Sequence, residues 1–394
     1  MTGHILLVGG WTRLYAKAKA AGYRVTVVTA AGALTAEDRA HVDRHIDLDM
    51  SSASVPSEAE SVHRQDPFDC VVSMREMGLD NAALLVDRLG VAGNPRRPVE
   101  LTRDKLALRR HLDAAGLSPI PYLSAPGEPE LAAFGARHGW PVILKGTRGY
   151  GSAETTMVNG PEEVSESFTR IGHAPGAGDV LAEAFIPGPE FSVETFSWQG
   201  EHTLLAITEK TTTGPPSFVE VQHTVPAQLP GGQHTAVADL VTAMLDSVGH
   251  QMGPAHTEVI LSPDGPVIVE AHTRAGGGFI YDLTEYVTGV DVFAELFRAL
   301  AGDVGVIAPK QDGVATTRYM TFPPGVVRSI DGVAEAMAVP GVLRCSVDVE
   351  VGQTIAAPTS SFNRHGYVVA HASSRAATLA AVDDAMARVR VAIE

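Results

Sequence analysis

The stretch from His256 to Gly278, HTEVILSPDGPVIVEAHTRAGGG, constrains this chain more than any other. TEVIL and PVIVE are rich in Val, Ile and Leu, and Ser-Pro-Asp-Gly between them is a turn signal, so the stretch reads as a β-hairpin. Each strand carries one carboxylate, Glu258 and Glu270, in an otherwise apolar run. His272, Arg274 and the glycines Gly276, Gly277 and Gly278 follow. Two carboxylates, a planar cation and glycines whose amides can approach an anion suit a magnesium–phosphate site. The same residues also suit an edge hairpin with solvated charges, and the rest of the chain decides between the two.

The carboxylates can serve one ion only from one face of the hairpin. A two-residue loop would set Glu258 against Val269 and turn Glu270 away. A three-residue loop, Pro263 to Gly265, pairs Ser262 with Pro266 and hence Glu258 with Glu270, with Gly265 in the left-handed position of a bulge. The three-residue loop is the expectation. His272 then shares the face of Glu270.

At 394 residues the chain is too long for one ordinary core, and two or three domains are expected. Lys and Arg number 30 against 46 Asp and Glu, a net charge of −16, which argues against non-specific nucleic-acid binding. The 2 cysteines, Cys70 and Cys345, form no disulfide framework or metal spacing and point to a reducing cytosol. The first apolar run, ILLV, has no basic segment before it, and no run of 18 apolar residues exists. Neither a signal peptide nor a membrane span is expected.

In chain order, HILLVGG, a helix over 11–22 and YRVTVV open a βαβ unit. The Gly pair lacks the third glycine of a dinucleotide fingerprint. FDCVVS is a further strand, followed by a helix from about Asn81 to Leu89. The spacing over 102–116 predicts one helix, with Lys105 in its first turn. PVIL then ends in Lys145, and Gly146, Gly149 and Gly151 follow. A lysine at the end of an apolar strand must snorkel or meet an anion, and a glycine loop after it can fold its amides over phosphates. VLAEAFIPGPEFSVETF reads as strand, turn and strand, with Glu183 and Glu190 flanking the turn. FVEVQHTVPAQL, 218–229, is strand-like and carries Glu220 and His223. A helix is expected at about 233–249 and an amphipathic stretch at 290–301. From about 316 the tail is strand-like, ending in a helix over 374–393.

RDK, PVILKGTRGYGS, LAEAFIPGPEFSVE, TEVIL and VEAHTRAGGG, in that order, resemble the ATP-grasp superfamily along nearly the whole chain. The nearest likeness is the carboxylate–amine ligase branch that includes the dipeptide-forming L-amino acid ligases. The resemblance implies an α/β (α+β) fold: a Rossmann-like N-terminal domain (1–101), a central ATP-grasp domain (102–315, in subdomains 102–185 and 186–315) and a small β-rich C-terminal α+β domain (316–394). It implies ATP and Mg2+ as cofactors, with Mn2+ as an alternative ion, small carboxylate and amine substrates, and a homodimer by analogy.

The resemblance also assigns roles. Lys105 and Lys145 hold the ATP phosphates, and Gly146 to Ser152, with Gly149, Gly151 and Ser152, form the lid loop. Glu183, Phe185 and Ile186 recognise adenine, and Glu190 accepts from the ribose hydroxyls. Glu258 and Glu270 are the magnesium ligands, and Arg274 with Gly277 and Gly278 cradles the carboxylate and acyl phosphate. Lys210, Glu220 and His223 sit where such ligases place phosphate and substrate contacts. One residue departs from the family's Glu-x-Asn-x-Arg: His272 stands where Asn is usual, and imidazole suits hard magnesium poorly. His272 is placed with Glu258 and Glu270 at the metals, where it either ligates through a neutral ring nitrogen or bonds a phosphate, a water or the substrate, the second being the expectation. The alternatives are a ligase whose acceptor is a carrier protein or thiol, a bicarbonate-activating carboxylase without a biotin-carrying segment, and a nucleotide-binding module without catalysis.

Overall fold

The computed structural model describes residues 3–30, 32–124, 127–148, 155–172, 179–215 and 218–394. The first strands are β1 (Gly3–Val8), β2 (Tyr23–Thr29), β3 (Arg44–Asp47) and β4 (Cys70–Val72), in a parallel sheet of order β3-β2-β1-β4. Ile5, Leu6, Leu7 and Val8 are fully buried. Ile5 and Leu7 pack on the helices Thr12–Ala20 and Val292–Leu300, while Leu6 and Val8 pack on Val55–Gln65 and Leu79–Leu89. Covering both faces is what makes the β1 sequence continuously apolar rather than alternating.

The helix expected over 102–116 is two helices, Arg96–Arg103 and Lys105–Ala114. Asp104 breaks it with extended backbone, φ −118° and ψ 107°, and accepts hydrogen bonds from the amides of Leu106 and Ala107, each at 3.0 Å. A short acceptor satisfies orphan amides better as a cap than inside a helix. Lys105 therefore starts the second helix.

A small antiparallel sheet follows: β5 (Tyr122–Ser124), β6 (Val142–Gly146), β7 (Thr155–Val158) and β8 (Val180–Ala184), in the order β5-β8-β6-β7. Helices Glu128–His138 and Val164–Gly172, which the sequence reading did not identify, pack Leu131, Phe134, Val164 and Ile171 on Val142, Leu144 and Ala182.

The remaining strands are β9 (Glu190–Trp198), β10 (Glu201–Thr212), β11 (Glu220–Val225), β12 (Met252–Ser262), β13 (Gly265–His272), β14 (Val314–Met320), β15 (Gly325–Asp331), β16 (Val342–Val347), β17 (Thr354–Ile355), β18 (Gly366–Ala372) and β19 (Arg390–Ile393). Eight form one sheet, β13-β12-β9-β10-β11-β14-β18-β16, and three form another, β17-β15-β19. The large sheet runs across the expected 315/316 boundary, since β14, β18 and β16 extend it. The terminal helix stops at Arg388, earlier than expected, because the Arg-Val-Ala-Ile tail pairs with β15 as β19.

Period-two alternation divides the faces of the large sheet. Phe191, Val193, Ile207, Val259 and Leu261 pack against helices Gln233–Val248 and Lys105–Ala114. Glu190, Ser192, Glu194, Thr208, Lys210, His256 and Glu258 alternate with them. Arg13 docks the N-terminal domain, donating to Asp282 at 2.7 Å and also to Glu285, on the helix Ile280–Thr288.

Candidate active site

A cleft of about 1500 Å³ lies between these parts, lined by the N-terminal sheet's loops, the small sheet and the polar face of the large sheet. The hairpin forms its floor. Glu258 lies opposite Glu270, as the sequence reading required, but by another route. Ser262 pairs with Gly265 and Val259 with Ile268, so the loop has two residues, Pro263 and Asp264. The register shifts between Glu258 and Val259, and Val269 is the extra residue. The expected three-residue loop is thus corrected: Gly265 is a strand residue at φ +125°, and a bulge beside the carboxylates restores their pairing. Ser262 closes the tight turn, its Oγ donating to Gly265 O at 2.8 Å and accepting from Asp264 N at 3.2 Å. The bulge is gripped from elsewhere. Arg109 Nη2 donates to Ile268 O at 2.8 Å, and Ser118 Oγ accepts from Ile268 N at 3.0 Å.

Cations surround both carboxylates. Lys210 Nζ lies 2.7 Å from Glu258 and 2.9 Å from Glu220, and it also pairs with Glu190. Lys105 Nζ lies 3.2 Å from Glu270 and His272 Nε2 2.8 Å from it. His256 bridges Glu194 at 2.7 Å and Glu258 at 3.4 Å. These contacts use Oε1 of Glu258 and of Glu270. Burial raises the Glu270 pKa, but Lys105 and His272 outweigh it and hold it at about 2. Burial likewise opposes ionisation of Glu258, and Lys210 and His256 keep it well below the usual carboxylate range. Glu190 moves the other way: burial, with Glu258 and Glu220 nearby, outweighs Lys210. Burial disfavours the His256 cation, yet Glu194 and Glu258 lift its pKa to about 9.

The N-terminal domain supplies a residue the sequence reading missed. Glu76, just past β4, pairs with Arg274, lies 2.5 Å from Arg103 and 3.2 Å from His272 Nδ1. Burial opposes its charge, and His272, Arg274 and Arg103 hold its pKa well down. The available signal was position: ligands gather beyond the carboxyl ends of parallel strands.

Across the cleft, Glu183 is buried between Arg109, at 2.6 Å, and Lys145, at 2.5 Å. Its carboxylate is thus committed to two cations. Phe185 and Ile186 line the cleft after β8, and the Phe185 amide donates to Pro141 O at 3.4 Å. At the far side Gly278 has φ +57°, and a Cβ there would lie 2.5 Å from Tyr319 Oη. Tyr319 Oη donates to Gly278 O at 2.7 Å, and His223 Nδ1 lies 3.1 Å from the same oxygen. Arg274 and Gly277 line the cleft beside it. His223 Nε2 lies 3.3 Å from Glu220. Gly149, Gly151 and Ser152 lie outside the described residues. Among the described residues no group of three or more His, Cys, Asp or Glu is preformed to hold a metal, and no helix is long and apolar enough to cross a membrane.

A cleft between a small antiparallel sheet and the charged face of a large one, with lysines reaching in from both, defines a nucleotide-binding protein of the ATP-grasp kind. Family models bear this out: residues 15–93 match the ATP-grasp N-terminal domain, 138–282 the ATP-grasp domain and 318–394 the L-amino acid ligase C-terminal domain 2. The chain belongs to the ATP-grasp superfamily and is similar to its L-amino acid ligases. It is 30% identical over 312 residues to an uncharacterized protein, y4rH, of Sinorhizobium fredii, a match covering 77% of this chain and 64% of that protein's length. It is 22% identical to the L-arginine-specific L-amino acid ligase of Bacillus subtilis, over 75% of this chain and 73% of that one. The crystal structure of an L-amino acid ligase from Bacillus licheniformis superposes with a TM-score of 0.85 at 23% identity, covering 100% of this chain and 99% of the other.

Proposed function

We propose that the chain is an ATP-dependent ligase joining the carboxylate of an amino acid or related small acid to an amine, with ADP and phosphate as products. One observation carries the reading: Glu258 and Glu270 stand opposed on the cleft floor, each flanked by a lysine. Among relatives, the proteins of Bacillus and Enterobacter agglomerans named L-arginine-specific L-amino acid ligase, alanine–anticapsin ligase and dapdiamide A synthase support it.

In this reading Lys105 and Lys145 meet the ATP phosphates, and the loop from Gly146 to Ser152 is the lid that the resemblance implies. Ile186 offers its amide to adenine. The carbonyls around Glu183 and Phe185 serve the adenine amino group, because the Glu183 carboxylate is taken by cations. Glu190 accepts from ribose. Glu258 and Glu270 would hold magnesium through the oxygens their lysine contacts do not use, which suits an ion that binds one or two carboxylates and completes its shell with phosphates. Bound there, the ion would neutralise phosphate charge. His272, bonded to Glu270, positions that carboxylate rather than ligating.

The substrate carboxylate attacks the γ-phosphorus and ADP leaves. The amine nitrogen then attacks the acyl carbon of the resulting acyl phosphate, loses a proton and expels phosphate. Arg274, Gly277 and Gly278 orient the carboxylate and the oxygens of the acyl phosphate, with Glu220 and His223 beside them. The lid excludes water that would hydrolyse the intermediate. The test is an ADP-release screen over pairs of amino acids and small acids. ADP should form only when a carboxylate and an amine are both present. ADP release indifferent to both would contradict the reading.

A further inference from the structure

The C-terminal domain reaches the cleft through the segment between β17 and β18, where Ser361, Phe362 and Arg364 line it. Arg364 is held in an unusual way for a mostly buried cation. Its guanidinium carbon lies 3.3 Å from the centre of the Tyr319 ring, and Nη1 donates to Glu220 O at 3.3 Å. Among the described residues, the carboxylate paired with it is Glu220, whose Oε2 is 3.7 Å away, beyond hydrogen-bond distance. Glu220 is otherwise engaged by Lys210 at 2.9 Å and by Ser361 Oγ at 3.4 Å. The fork is thus fixed by stacking and a carbonyl while its charge is only partly answered. That arrangement suits bidentate capture of an incoming carboxylate.

Its place in the cleft selects which carboxylate. Tyr319, beneath Arg364, donates to Gly278 O, in the glycine turn proposed to cradle the acyl phosphate. Arg274, the cation proposed for the reacting carboxylate, is paired with Glu76 on the N-terminal side. Arg364 reaches the same turn through Tyr319, from the C-terminal domain, so the two cations are separate and one is left for the carboxylate of the second substrate. Phe362, 66% exposed, stands beside it on the cleft wall.

We infer that Arg364, with Ser361, binds the carboxylate of the amine substrate. The inference rests on the ligase reading above and narrows its acceptor.

The test compares wild type, Arg364→Met and Arg364→Lys with one reactive amino-acid pair. The donor is identified as the member that yields a hydroxamate when hydroxylamine replaces the amine. Losing a charge-assisted pair should raise the acceptor KM about 10- to 100-fold in Arg364→Met, with Arg364→Lys in between. Hydroxylamine carries no carboxylate, so the loss with the amino acid should exceed the loss with hydroxylamine by about tenfold or more. Wild type should also prefer the acceptor to its primary carboxamide, and Arg364→Met should lose that preference. Equal losses with both amines, a raised KM for ATP in place of the acceptor, or an intact preference over the carboxamide would overturn the inference and leave the ligase reading standing. Absence of ADP release by wild type with every pair would instead overturn the ligase reading, and this inference with it.

Discussion

On the small-sheet wall of the cleft one carboxylate, Glu183, meets two cations, Arg109 and Lys145; on the large-sheet wall one lysine, Lys210, meets three carboxylates, Glu190, Glu220 and Glu258. Buried charges must be matched locally, because desolvation costs several kcal/mol per ion. The small wall has cations in excess, which suits it to phosphate oxygens. The large wall has anions in excess, which suits it to a divalent cation. In the proposed reading the two walls would take the two halves of a metal–nucleotide complex, and Arg109 ties them together by bonding both Glu183 and the bulge beside Glu270.

The harshest way to break this contrast is to remove a charge from the anionic wall. Glu270→Gln should lower turnover about 1000-fold or more while leaving the fold intact, since metal charge stabilisation is worth several kcal/mol. ADP release and circular dichroism on one preparation check both halves. Next comes the link between walls. Arg109→Met leaves Glu183 half-paired and removes one donor from each of the Ile268 and Val269 carbonyls. Breaking a buried pair this way should cost about 3–5 kcal/mol of stability, read by denaturant unfolding.

A third prediction separates the walls from the rest of the large sheet. Burial lowers the pKa of His250, just before β12, to about 4. It is neutral when folded and takes up a proton more readily when unfolded, so its contribution is present above pH 6.5 and lost as pH falls toward 4. That acid limb should amount to at most about 3 kcal/mol and be flattened in His250→Gln. Carboxylates held low, Glu183 among them, stabilise the fold throughout this range and lose that contribution only at more acid pH. The smallest effect is expected at His272. Its Nε2 already bonds Glu270, and Asn can still offer a donor, so His272→Asn should cost about 1 kcal/mol in activation, less than tenfold in rate, with magnesium still preferred over manganese.

The same contrast explains what the sequence could and could not disclose. Strands with local patterns were legible: β1, β12 and β13 carry their burial in runs of Val, Ile and Leu. The facing of Glu258 and Glu270 was legible as a requirement, but not the bulge that achieves it. That bulge is held by Ser118, 150 residues away in sequence, and by Arg109, 159 away. Arg109 carries a local signal, since it lies on the apolar stripe of Leu106, Leu108 and Leu112. Glu76 and Arg364 enter the cleft from the two terminal domains, and no spacing near either one reports where the rest of the chain will place it.

Glu258 and Glu270 are proposed as the metal half of a metal–nucleotide site. Titration calorimetry of ADP, with and without magnesium, on wild type and on the Glu258→Gln/Glu270→Gln double variant tests it most directly. The account predicts that magnesium tightens ADP binding to wild type, that this gain disappears in the double variant, and that metal-free ADP binds the variant at least as well, because two negative charges have gone. A magnesium gain of the same size in both proteins would contradict it.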